Sequence, residues 1–207
     1  MNGQNETVKP VVPDPLFQSV ATAVSGGMPP ASESAEIQSQ ADASVASLVG
    51  VLSRINECFL RLSSDEVYSD VLDEVLKALE SEYGILGYID RSHRLVCPSL
   101  TRRVWDRCEM ADKKIVFELD ELGGVLAQVI KQRITVCVNQ PVPTPSGHVP
   151  ITRFLGVPLI VQERLVGVIF LANKPSDYTQ EDVCTLEMIA RFLAPIVDAH
   201  IREEQEK

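Results

Sequence analysis

The stretch Arg153-Phe-Leu-Gly-Val-Pro-Leu-Ile-Val-Gln-Glu-Arg-Leu-Val-Gly-Val-Ile-Phe-Leu-Ala-Asn-Lys-Pro-Ser-Asp-Tyr-Thr-Gln-Glu-Asp182 decides the architecture of this chain. Two apolar, β-branched runs, Phe154 to Val161 and Leu165 to Ala172, have strand length, and polar residues bound each of them. The loop between them is tight, so the two strands pair antiparallel. Thr179-x-x-Asp182 then opens a helix. The threonine hydroxyl caps a free backbone N–H, and the acid lies at the positive end of the helix dipole.

Working upstream, Val45, Leu48, Val49, Leu52, Ile55, Phe59 and Leu62 recur at helical spacing. Ser63-x-x-Glu66 reads as a capping box for a second helix carrying Val67, Val71, Leu72, Val75, Leu76 and Leu79, with Gly84 as its stop. Ile85 to Ile89 and Arg94 to Cys97 form a hairpin over a turn at Asp90-Arg91-Ser92. The middle is less regular. It holds a short helix at Val104 to Cys108, a strand at Ile115 to Phe117, a helical piece at Val125 to Lys131 after Gly123-Gly124, and a strand at Ile134 to Val138. A Pro/Gly loop, Asn139 to Pro150, leads into the quoted stretch. The last helix places Val183, Leu186, Ala190, Leu193 and Val197 on one face, with Pro195 inside it as a bend. Short loops between neighbouring strands predict an α+β domain, an antiparallel sheet with helices packed on one face. It spans residues 43–207 and follows a Pro/Ser/Ala-rich disordered tail over residues 1–42.

Bulk properties narrow the function. The 207-residue chain carries a formal charge of −10, which argues against nucleic acid or an anionic membrane as partner. No uninterrupted apolar run reaches the ~20 residues of a membrane span, and no secretory signal is visible. Five scattered cysteines in such a chain indicate free thiols in a reducing, cytoplasmic compartment. No Ser/His/Asp order, metal-ligand spacing, phosphate loop or His-Glu-x-x-His occurs, and His93, His148 and His200 are far apart. No pattern names a cofactor.

One block of residues resembles a known family. It comprises Trp105, Cys108, Phe117, Gly123-Gly124, Asn139, Gly147-His148-Val149-Pro150-Ile151, Phe154-Leu-Gly-Val-Pro158, Val166-Gly-Val168, Ala172-Asn-Lys174 and Tyr178-Thr-x-x-Asp182. It is similar to the GAF domains that serve as input modules of sensor kinases. The resemblance covers roughly residues 45–202 and implies a sheet of about six strands with the terminal helices on one face. The spacing Asn173-Lys174-x-x-x-Tyr178-x-x-x-Asp182 is similar to the Asn-Lys-Phe-Asp signature of cyclic-nucleotide-binding GAF domains. Physically it reads as a brace in which a partly exposed Lys174–Asp182 pair, with Tyr178 packed between, joins the last strand to the last helix.

The resemblance implies a non-enzymatic small-molecule sensor and dimerisation module, with a cyclic nucleotide among the conceivable ligands. Its cavity would lie on the sheet face away from the terminal helices, roofed by the irregular middle. Trp105 and Phe117 would stack on a flat ligand there, and Asn139, His148 and Arg153 would supply polar contacts. Cys108 with His148 could in principle hold a metal or haem axially, but two lone residues at unspecific spacing make no metal site. A purely structural interaction domain is one alternative. The other is the enzyme known on this fold, free methionine-(R)-sulfoxide reductase, which needs a low-pKa thiolate and a resolving thiol. Where that family carries a cysteine in a Gly-Val-Cys-Gly turn, this chain has Gly124-Val125-Leu126-Ala127, leaving Cys97, Cys108 and Cys137. No output module follows the last helix, so a signal is expected to leave through an interface. Ile189 and Ile196 on the last helix, and Val45, Val49, Leu52, Phe59 and Leu62 on the first, widen the apolar stripes beyond what a single sheet contact needs. That surplus predicts a two-fold dimer on the terminal helices.

Overall fold

The computed structural model describes residues 31–61, 66–100, 109 and 114–204. Its elements are α1 (Ala31–Arg61), α2 (Glu66–Ala78), β1 (Tyr83–Ile89), β2 (Arg94–Leu100), β3 (Val116–Glu118), α3 (Gly124–Gln132), β4 (Val136–Val138), β5 (Phe154–Val161), β6 (Arg164–Ala172) and α4 (Gln180–Glu204). The six strands form one antiparallel sheet in the order β3-β2-β1-β6-β5-β4. The expected α+β architecture is therefore present. The expected capping residue Ser63 and the helix at Val104 to Cys108 lie outside the described residues.

The chain divides into two compact units, residues 1–49 and 50–207. In the first, the described residues are the opening part of α1, and Val45 and Val49 are exposed. α1 begins at Ala31, upstream of the boundary expected near residue 43. No Pro or Gly interrupts the chain from Ala31 to Val49, so helical geometry meets no local obstacle there. Part of α1, Asp42–Arg61, is long and apolar enough to cross a membrane by length and composition alone. This differs from the sequence expectation, because Ala, Val and Leu keep the average apolar while Arg54 and Glu57 break the continuous run. Within residues 50–61, Val51 and Ile55 are buried and Arg54 pairs with Glu74 of α2 at 2.6 Å, the pattern of a helix packed on a domain.

The sheet of the second unit is covered on both faces. α2 packs on β1 and β2, and α4 on β5 and β6. α4 presents Leu186, Ile189, Leu193 and Val197, all fully buried, which accounts for its strong apolar period. Ile189, expected on an outward seam, is inside its own chain, while Ile196 is half-buried. A helix that covers two strands at once uses a wider apolar stripe, and this absorbs part of the surplus on which the dimer expectation rested. Beneath the other face, α3 packs Val129 and Ile130 against Leu95, Cys97, Val136, Phe154, Val168 and Phe170.

Gly84 does not stop α2, contrary to expectation. The helix ends at Ala78 and the chain turns through Glu80, at φ 49°, with the Ser81 N–H donating to the Leu76 carbonyl at 3.0 Å. This is the long bond of a Schellman-type ending. Gly84 lies inside β1, where a Cβ would sit 2.9 Å from Leu72 Cδ1, so it allows α2 to approach the sheet.

The turn at Asp90 is as read from the sequence. The Arg94 N–H donates to Asp90 Oδ1 at 2.9 Å, and the Arg94 guanidinium meets Oδ2 at 2.7 Å. Burial pushes the Asp90 carboxyl up, but these Arg94 contacts outweigh it and hold the group below its ordinary value. The β5–β6 hairpin turns through Gln162 and Glu163, both at positive φ (48° and 65°). A two-residue loop of that kind favours Asn-Gly. The double substitution Gln162→Asn, Glu163→Gly is expected to stabilise the domain by about 1 kcal/mol by removing left-handed strain from two ordinary side chains. Urea midpoints of the two proteins measure it.

Candidate functional site

Two structures adjoin at the C-terminal end of β6. The first is a joint between β6 and α4. Lys174 Nζ lies 2.8 Å from both carboxylate oxygens of Asp182, and the two side chains are only 12 % and 11 % exposed. The pair is thus more buried than the sequence suggested. Asp182 is also the reciprocal partner in the helix cap. The Thr179 N–H donates to Asp182 Oδ2 at 2.7 Å, and the Asp182 N–H donates to Thr179 Oγ1 at 3.2 Å. Tyr178 is buried beside them, its hydroxyl 2.8 Å from Ser81 Oγ in the turn after α2, and burial pushes that phenol up to about 12.

Loop residues complete the joint. Asn139 donates from Nδ2 to the Tyr178 carbonyl at 3.0 Å and accepts the Tyr178 N–H on Oδ1 at 2.8 Å, so one side chain serves as a strand partner to that residue. Arg153 donates from Nε to Asp177 Oδ1 at 2.8 Å. Asn173, at φ 60°, accepts the Thr152 N–H on Oδ1 at 2.9 Å and donates to the Pro150 carbonyl at 3.0 Å. Asn139 and Asn173 each supply hydrogen bonds to backbone groups that a regular strand would have paired with its neighbour.

The second structure is a cavity of about 290 Å³ lined by Glu82, Tyr83, Glu109, Gly147, His148, Val149, Pro150 and Asn173. Tyr83, Val149 and Ala172 form a small apolar cluster at this place. His148 bonds through Nδ1 to the Val149 carbonyl at 2.7 Å. A carbonyl only accepts, so Nδ1 is the donor in this contact. The Glu109 N–H donates to the Gly147 carbonyl at 2.8 Å, tying that wall to the Pro145–His148 turn.

Comparison with known proteins agrees with this architecture. The family model for the GAF domain matches residues 61–198. This chain belongs to the GAF family. GAF domains are sensor and regulatory modules of signalling proteins. The chain is 25 % identical over 150 residues to the methyl sulfide methyltransferase-associated sensor of Methanosarcina acetivorans, a match that covers 69 % of this chain and 15 % of that protein. The GAF domain of a phosphoenolpyruvate-protein phosphotransferase from Coxiella burnetii superposes with a TM-score of 0.60 at 18 % identity, over 78 % of this chain and 98 % of that one. The phycoerythrobilin-bound GAF domain of a cyanobacterial phytochrome gives 0.51 at 12 % identity, over 78 % and 97 %.

Within this GAF domain the expected ligand residues are dispersed. His148 lines the cavity, as does Asn173 of the expected brace. Asn139 and Arg153 belong to the joint. Phe117 on edge strand β3 packs on the apolar cluster beneath α3. Trp105 and Cys108 lie outside the described residues. Glu82, Tyr83 and Glu109 were not singled out in the sequence. They belong to no motif, and only the fold brings them beside residues 147–150.

Two of the described thiols, Cys97 and Cys137, lie in surroundings that disfavour the thiolate. Burial pushes Cys97 up to about 12 and raises Cys137 as well, the opposite of an activated thiolate. Cys97 on β2 and Cys137 on β4 are separated by β1, β6 and β5, roughly 19 Å along the sheet at ~4.8 Å per strand. A disulfide requires Cα atoms within about 7 Å.

Proposed function

We propose that this GAF domain is a non-catalytic sensor that binds a small molecule in the cavity beside His148 and passes the change to α4 through the Asn173–Asp182 joint. The observation carrying this reading is that Asn173 belongs to both structures, lining the cavity while the next residue, Lys174, holds the first turn of α4. A ligand that displaces the Pro150–Thr152 segment would act on Asn173 directly, because Asn173 holds both residues.

Thermal-shift measurements on the full chain test it. A true ligand at a hundredfold excess over its Kd is expected to stabilise the domain by about 2.7 kcal/mol. If neither cyclic nucleotides, haem, small amines nor carboxylic acids raise the melting temperature, the sensing role is wrong and a structural role takes its place. The raised, separated thiols weigh against methionine sulfoxide reduction.

The output is expected to be a homodimer in a cytoplasmic signalling assembly, without nucleic acid or membrane as partner. Leu60 of α1 and Met188 of α4 are exposed apolar side chains in the second unit, as are Val45 and Val49 in the first. Soluble proteins usually bury such surface in a partner. Light scattering at micromolar concentration is expected to give twice the chain mass, and a monomer would remove the dimer from this scheme.

A further inference from the structure

We propose that the hydrogen bond between Tyr178 and Ser81 couples the end of α2 to the first turn of α4, so that both helices, and not α4 alone, answer a change at the strand ends between them. α2 thus becomes a second output of the sensing scheme above, and the coupling rests on that reading only for the source of the signal. Ser81 lies in the turn that ends α2. Its N–H donates to the Leu76 carbonyl at 3.0 Å and its hydroxyl to the Leu79 carbonyl at 3.1 Å. A serine hydroxyl has one proton, so Oγ accepts from the Tyr178 hydroxyl, 2.8 Å away. The result is a relay, from the Tyr178 O–H to the Ser81 O–H, that ends on a carbonyl at the C-terminal end of α2.

At its other end the relay is fixed in the joint. Asn139 holds both the N–H and the carbonyl of Tyr178, at 2.8 and 3.0 Å. The next residue, Thr179, shares the α4 cap with Asp182. Tyr178 is 4 % exposed. A phenol at that depth loses its hydrogen bond without gaining water when the two helix ends separate, so separation is resisted. The same two segments flank the cavity. Glu82 and Tyr83 follow Ser81 directly, Asn173 precedes Lys174, and all three residues, Glu82, Tyr83 and Asn173, line it. The Glu82 N–H donates to the Ala172 carbonyl at 3.1 Å, and Tyr83 pairs with Ala172 in the sheet. From this last rung of the β1–β6 ladder one chain leads through Ser81 to α2 and the other through Lys174 to α4. The phenol closes the gap between them.

Native-state hydrogen exchange on the full chain, read at single amides by NMR, tests the coupling. Ser81 reports the end of α2. Val183, whose N–H donates to the Thr179 carbonyl, reports the first turn of α4. Asp182→Asn loosens the α4 cap and is expected to speed exchange about fivefold or more at both amides. In the Tyr178→Phe background the same change is expected to speed Val183 alone, because the phenyl ring still fills the site but the relay is gone. Ser81→Ala, which removes the relay from the other side, is expected to do the same. Exchange at Ser81 that does not respond to Asp182→Asn would overturn the proposal, as would equal acceleration there with and without the phenol. Acceleration of the same size at Val129, fully buried on α3, would overturn it too, since the two helix ends would then part only when the whole domain opens. The measurement uses no ligand, so its failure leaves the cavity reading standing, and a flat thermal-shift screen leaves the coupling standing.

Discussion

Gly167→Ala is expected to cost about 3 kcal/mol. Gly167 lies in β6, where it pairs with Tyr88 of β1 and Leu159 of β5. A Cβ there would collide with the Gly87 carbonyl oxygen and stand 3.1 Å from Leu159 Cδ1. The obstacle is backbone, so no rotamer change relieves it, and the two central strands would have to part. β6 carries Val166, Val168, Ile169 and Leu171, all fully buried, so a shift spreads through the core on both faces. Urea denaturation of the variant measures the loss. A variant within 0.5 kcal/mol of the parent would show that β1 and β6 approach each other less closely than described.

Asp182→Ala is expected to cost a similar amount, about 3 kcal/mol. A partly exposed pair would be worth about 1 kcal/mol or less. Here both side chains are close to nine-tenths buried, and removal of the acid leaves the Lys174 ammonium without its partner in that environment. It also removes the carboxylate that accepts the Thr179 N–H and hydroxyl, half of the α4 cap. Lys174→Met is expected to cost less, because Asp182 keeps its cap bonds and the methionine fills the space. A double-mutant cycle on Lys174 and Asp182 isolates the coupling, and a coupling near zero would remove the pair from the joint.

The joint was largely legible in the sequence because its core is local. Asn173, Lys174, Tyr178, Thr179 and Asp182 lie within ten positions, and the alternation of strand, loop and cap leaves few ways to arrange them. Its depth was not legible. Burial of Lys174 and Asp182 depends on Tyr178 reaching Ser81 and on Asn139 pairing with the Tyr178 backbone, contacts that span 97 and 39 positions. Gly84 was misread for a related reason. A glycine after an apolar helix is ordinarily its stop, and nothing in the sequence reveals that Leu72 and Leu76 would press on it from α2. Ile189 was read as surplus because periodicity counts the apolar width of a helix, while the width that a sheet can cover depends on how many strands lie beneath.

The sequence by itself determined the α+β class, the antiparallel hairpins, the cap at Thr179 and the resemblance to GAF domains. These follow from period, turn chemistry and short-range spacing, which act between residues already close along the chain. Only the tertiary structure decided the cavity. Glu82 and Tyr83 precede or open β1, Glu109 stands between β2 and β3, His148 belongs to the loop before β5, and Asn173 follows β6. Their meeting depends on β1 pairing with β6 across more than eighty positions of chain, and on Asn173 holding the Pro150–Thr152 segment in place. Such a site has no spacing of its own in the sequence, because the free energy that assembles it comes from burial of the sheet faces and not from the residues that line it.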